Sequence, residues 1–252
     1  MFADSSHHES GMACVSARPD PIALTLSRWS RVDSNRRRLI PSSCVKKEKY
    51  VGLNPTWPVK GRHILAYFTE SSLIVYQAYR PAIAKFALEN QRFGGEFSFN
   101  RMSWIKPNFL WMMYRSGWAQ KEGQEHVLAV ELSRTFFDEI LSAAVASSYD
   151  PMTYSTRECW QRDVQCSDVR LQWDPDHDPL GRPTERRALQ LGLRGATLKR
   201  YATTEIISIT NVTPFVIEQR SKLADIDSLH VPHERVYTPS PVAAKRIALD
   251  AY

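Results

Sequence analysis

The sequence predicts an α+β fold: a single domain with a mixed, largely antiparallel sheet packed by about five helices, behind a disordered N-terminal tail. Three observations carry this. Apolar runs with strand character and runs with helix character follow one another in mixed order, so strict βαβ alternation is broken early. The count is roughly six strands and five helices, and the G-x-G-x-x-G turn and P-loop, the common dinucleotide and triphosphate cradles, are not offered. At 252 residues, with 43% hydrophobic and 24% charged residues, the chain has the composition of a globular protein able to bury one sizeable core.

Residues 1–60 lack sustained periodicity and are rich in Ser, Arg and Pro. They hold ten basic and five acidic residues, including Arg36–Arg38 and the cluster Lys46, Lys47 and Lys49; residues 61–252 hold 23 and 22. The net charge of +6 therefore sits mostly in the front of the chain. We read 1–60 as a disordered basic tail, with a nuclear-type address, a transit segment or a nucleic-acid arm as functional readings. Asp4, Glu9 and Asp20 count against a transit peptide. A nearly neutral body is not that of a dedicated nucleic-acid binder.

The core is expected over 61–225. Ile64–Phe68 and Leu73–Tyr79 read as strands joined by the tight turn Glu70–Ser72. Pro81 suits the first turn of a helix carrying Ile83, Ala84, Phe86, Ala87 and Leu88. Next comes RMSWIKPNFLWMMYRSGW, Arg101 to Trp118, whose run Phe109–Met113 is apolar without a break. A helix there, expected from Pro107 to Ser116, is apolar on all sides and belongs in the core, with Gly117 as a left-handed cap. His126–Leu132 reads as a strand, and Ser133 as the cap of a helix from Arg134 to Ala146. Trp160–Ser167 is ambiguous. Val169–Trp173 is a strand ending in the acidic turn DPDHDPLGRP. Ala188–Leu193 is a strand, a short helix runs from Gly195 to Tyr201, Glu205–Val212 is a strand, and Pro214 opens a last helix to about Leu223. Residues 226–252 are polar and Pro-punctuated, and are expected to lie along the surface or fray.

The four cysteines form no C-x-x-C pair and are expected to be free thiols in a reducing, intracellular setting, cytoplasmic or nuclear. No apolar run is long enough for a membrane span. No paired metal-ligand spacing occurs, so no metal site is expected, and the sequence leaves any cofactor unknown.

The stretches VYQAYRP (75–81), SFNRMSWIKPNFLWMMYRSGWA (98–119), VRLQWDPDHDP (169–179) and LQLGLRG (189–195) together resemble one family, domain of unknown function 4291, known from bacteria and fungi. The resemblance covers about 64–220. It implies no activity, but makes these four stretches the first places to seek a site.

Within them, Lys106 precedes Pro107 at the expected positive end of the central helix, where a cation is disfavoured and the first amides lack partners. Together they suggest a seat for a phosphate or carboxylate, which Arg101 can reach. Tyr76, Gln77, Tyr79 and Arg80 stand where a strand meets a helix, with Gln77 and Tyr79 on the face opposite Tyr76. Trp104, Tyr114 or Trp118 can stack on an organic ring, while Gln190 and Arg194 flank a strand end. Gln172, Asp174, Asp176, His177 and Asp178 form the dense acid cluster. It offers a cation site or a general base, with Gln172, Asp174 and His177 as catalytic candidates, although turn chemistry alone accounts for its composition. The leading expectation is a binder of a nucleotide-like or other phosphate-bearing small molecule, with ADP-ribosyl or nucleotidyl transfer suggested by analogy. An RNA or single-strand binder and a noncatalytic scaffold are the alternatives.

Overall fold

The computed structural model describes residues 45–251. Arg36–Arg38, Cys14, Cys44 and most of the expected tail lie outside these residues. The last sixteen residues assigned to the tail do not behave as one. Strand β1 (Lys47–Lys49) leads into a single-turn helix, α1 (Tyr50–Leu53), and Leu53 and Trp57 are buried. The expectation failed because two large apolar side chains anchor a segment that is otherwise polar.

Strands β2 (Gly61–Arg62), β3 (Ile64–Ala66) and β4 (Ser72–Tyr79) follow, then helix α2 (Pro81–Asn90), with Pro81 in its first turn. The central stretch supplies β5 (Ser103–Ile105) and α3 (Phe109–Ser116). Next come β6 (His126–Ser133), α4 (Arg134–Ser142), β7 (Ala144–Ala146) and α5 (Arg157–Cys166). Ser133 caps α4 as expected, its hydroxyl accepting from the Phe136 amide at 3.1 Å. The two long strands β8 (Val169–His177) and β9 (Pro183–Leu193) precede α6 (Gly195–Thr203), β10 (Ile206–Asn211) and α7 (Thr213–Arg220). The chain closes with β11 (His230–Pro232), β12 (Arg235–Tyr237) and α8 (Pro241–Arg246).

This last part corrects a second expectation. Residues 226–252 were expected to lie along the surface or fray, yet β11 pairs with β1, β12 pairs with β3, and Leu229, Val231, Tyr237, Ala243 and Ile247 are buried. Each apolar residue stands nearly alone among polar neighbours, so no periodic signal marks the segment. Its burial comes from partners far away in the chain.

The fold is α+β, and most strand pairs are antiparallel. Beside the two-stranded pairs β1-β11 and β12-β3, one larger sheet runs β10-β6-β4 and a second runs β2-β9-β8-β7, with β5 also on β9. Only β2/β9 and β7/β8 pair in parallel among the described residues. Alternation gives the first sheet two apolar faces. Leu73 and Val75 of β4, with Leu128, Val130 and Leu132 of β6, enter one core; Ile74, Tyr76, Val127 and Ala129 enter the other. Helix α3 fills the second core with Phe109, Leu110, Met112 and Met113, as its all-round apolar sequence predicts. No helix among the described residues is long and apolar enough to cross a membrane.

Candidate functional site

A cleft of about 690 Å³ opens where the two sheets meet, within the size range of roughly 300–1,000 Å³ typical of small-molecule sites. The meeting point is made by β5. Ile105 pairs with Leu191 of β9, and the next residue, Lys106, bridges to Tyr76 of β4. The Tyr76 amide donates to the Lys106 carbonyl at 2.7 Å, and the Lys106 amide donates back at 3.3 Å. Strand alternation sends Ile105 into the core and turns Trp104 and Lys106 to the cleft. Gln172 of β8 and Gln190 of β9 are register partners and line the same space. Gly192 lies across from Trp104, and a β-carbon there would meet Met102 Sδ at 2.5 Å and Trp104 at 3.0 Å. The glycine in LQLGLRG thus lets Met102 and Trp104 approach the strand closely.

Four cations line the cleft, Arg80, Arg101, Lys106 and Arg115, against one carboxylate, Glu96. Arg80 pairs with Glu96 at 2.6 Å. Neither Arg101, Lys106 nor Arg115 has a carboxylate within ion-pairing distance among the described residues. The arginines are exposed at the rim, whereas Lys106 lies deep, only 4% exposed. Burial brings its ammonium down to about 8; the Arg115 charge pushes the same way and Asp174 opposes it.

The polar floor is held rigidly. Gln77 donates to Ser103 Oγ at 2.8 Å and accepts from the Tyr201 hydroxyl at 2.6 Å; Tyr79 and Ser103 share a hydrogen bond at 2.9 Å. Burial pushes the Tyr79 and Tyr201 phenols upward, so both are neutral. Asp174 accepts from Gln172 Nε2 at 2.9 Å and from Gln190 Nε2 at 2.6 Å, which fixes both amides.

The structure separates other candidates from the cleft. Tyr76 faces the second core, packed edge-on against Phe109. Tyr114 stacks on His177 with ring centroids 3.5 Å apart, outside the cleft lining. His177 is buried against Trp111 as well, and desolvation lowers its pKa. Trp118 is buried and donates to the Pro179 carbonyl at 3.2 Å. Arg194 donates to the carbonyls of Val164 and Gln165 at 3.1 and 2.6 Å, tying down the end of α5. Its place at a strand end made it resemble a cleft residue, but its guanidinium turns to the carbonyls that a helix C-terminus leaves unpaired.

The acid cluster divides: Gln172 lines the cleft and Asp174 fixes the cleft amides, whereas Asp176 and Asp178 hold the turn and the strand pair. Asp176 forms a buried ion pair with Arg186 at 2.6 Å. Asp178 accepts from the Leu180 and Arg182 amides, both at 2.9 Å, and so closes the turn. No group of three or more metal-ligating side chains occurs among the described residues.

The expected anion seat at the helix N-terminus is also corrected. Helix α3 begins at Phe109, not Pro107, and Lys106 belongs to the bridge between strands. Two amides of the helix start are already taken: Phe109 N donates to Glu234 Oε1 at 2.7 Å, and Trp111 N to Asn108 Oδ1 at 2.6 Å. Glu234 is 1% exposed, and desolvation holds its carboxyl well above the usual range. Sequence reasoning missed it because it lies 125 residues beyond its partner. Arg115 was also passed over as a cleft residue. Its signal was the spacing of three from Met112, which puts both on one helix face.

A family profile described as Domain of unknown function (DUF4291) matches residues 63–237. The chain belongs to this family. The DUF4291 match contains every cleft residue, both long strands of the second sheet and Glu234. No curated protein matches the chain.

Proposed function

We propose that the cleft binds a phosphate-bearing, nucleotide-like small molecule. The observation that carries the reading is the convergence of Arg101, Lys106 and Arg115 on one cavity, with no carboxylate pairing any of them among the described residues. A buried ammonium without a counter-ion is costly, and a bound phosphate offsets that cost. The rim guanidiniums suit bidentate contact with phosphate oxygens. Trp104 offers a ring face beside them, and Gln172 and Gln190 offer amides already fixed by Asp174. Cations placed over phosphates also stabilise a departing anion, the electrostatic need of a nucleotidyl or ADP-ribosyl transfer.

Thermal unfolding with phosphate, AMP, ADP and a non-phosphorylated nucleoside tests the reading. A ligand at 100 times its Kd stabilises by about 2.7 kcal/mol. The phosphorylated compounds are expected to stabilise the protein and the nucleoside is not. Equal shifts, or none, would remove the proposal.

A further inference from the structure

Lys106 does more than add charge to this cleft. An arginine would hold a phosphate as well, and would keep its proton under any burial. The deepest cation is instead the one type whose neutral form is a nucleophile. Its backbone is fixed on both sides, by Ile105 on β9 and by its own bridge to Tyr76, so the side chain projects from a rigid base. It is 4% exposed, lines the cavity and has no carboxylate partner among the described residues. We propose that Lys106 is a nucleophile that condenses, as the free amine, with the carbonyl carbon of a phosphate-bearing aldehyde or ketone held in the same cleft.

The step balances without oxidant or reductant. The Nζ lone pair forms a bond to the carbonyl carbon, and the C=O π pair moves to oxygen. A proton passes from nitrogen to that oxygen, giving a carbinolamine. Loss of water, carrying the second N–H hydrogen, leaves the C=N bond. The free amine is available near neutral pH because burial and the neighbouring Arg115 disfavour the ammonium, bringing it down to about 8. The charged groups around it are Arg115 of α3, Arg101 of the connection before β5, the Arg80–Glu96 pair and Asp174 of β8, which favours the ammonium. Gln77 and Gln190 line the same cavity as uncharged neighbours. The inference rests on the phosphate-binding reading, since Arg101 and Arg115 must hold the phosphate while the carbonyl reaches Nζ.

Pyridoxal 5′-phosphate, a phosphate-bearing aldehyde, serves as the probe on the full chain, with pyridoxal as its phosphate-free counterpart. Borohydride reduction followed by peptide mass mapping locates the adduct. A Lys106→Arg variant keeps the charge and removes the nucleophile, and AMP binding is measured alongside. The expected result is an adduct at Lys106, with half-saturation at least tenfold lower for the phosphorylated aldehyde. Its formation should rise with pH with a midpoint at about 8, and AMP should compete. Lys106→Arg should lose the adduct, and the wild type should bind AMP. Adducts only at exposed lysines such as Lys85, with AMP binding intact, would overturn the nucleophile and leave the phosphate site standing. An adduct at Lys106 formed equally well by pyridoxal would overturn the phosphate-bearing substrate class. Absence of AMP and phosphate binding would overturn both readings.

Discussion

At the scale of single residues, Lys106 and Glu234 are two buried groups whose charge is unfavourable where it stands. The Lys106 ammonium is brought to about 8, below its ordinary value of 10.5. The unfolded chain therefore holds more protons than the folded one between those values, and stability rises with pH across that window. Below pH 8 the folded protein bears the full cost, at most about 3 kcal/mol for a shift of this size. Lys106→Met is accordingly expected to stabilise the ligand-free protein at pH 7 by up to about 3 kcal/mol. Urea unfolding at pH 7 and pH 10 checks this: the wild type should gain stability at pH 10 by an increment the variant lacks. Glu234 acts differently, because it satisfies the Phe109 amide at the start of α3. Glu234→Ala leaves that buried amide unpaired and is expected to cost about 1–3 kcal/mol, read as a lower urea midpoint. Neither role was legible locally. Lys106 stood out in the sequence as a cation beside an apolar run, but its helix-end setting was wrong, since the chain is still extended at that point. Glu234 is a lone acid in a polar tail, and only the pairing of β12 with β3 carries it to α3.

At the scale of elements, the readings that survived depend on local chemistry. Pro81 opens α2, Ser133 caps α4 and Gly117 adopts the left-handed cap of α3 at φ 57°. Alternation on β4 correctly separated Gln77 and Tyr79 from Tyr76. What failed was set by contacts between distant elements. The acid cluster was recognised as turn chemistry at Asp178, but the partner of Asp176 is ten residues away on β9. Arg186→Met strands the Asp176 carboxylate in the interior and is expected to cost about 3–5 kcal/mol, as a denaturation curve will show. The β5–β9 contact makes a second prediction. Gly192→Val places side-chain carbons where Met102 and Trp104 now lie. Overpacking of this kind costs about 1–3 kcal/mol, and the displaced indole is expected to weaken ligand binding more than stability. Tryptophan fluorescence and a binding titration on the same variant separate the two effects.

At the scale of the whole molecule, the fold class and the four family stretches were legible because hydrophobic periodicity and turn residues are local signals. The two ends of the ordered body were not. Residues 45–60 and 226–250 pair with each other as β1 with β11, and join the body through β12 with β3 and through single buried side chains such as Trp57 and Tyr237. Truncation after Asp225 removes the Glu234 cap, Tyr237 and Ile247 together, and is expected to abolish cooperative unfolding in calorimetry. The body of the chain is nearly neutral over residues 61–252, so the meeting of Arg101, Lys106 and Arg115 in one cleft is a local concentration of charge rather than a general basic surface. Binding of AMP to the wild type, Lys106→Met and Arg115→Met, measured by titration calorimetry at fixed salt, tests that most directly. The account predicts one saturable site, weakened at least tenfold by each substitution, which corresponds to about 1.4 kcal/mol or more. Absence of saturable binding, or an affinity that both variants leave unchanged, would contradict it.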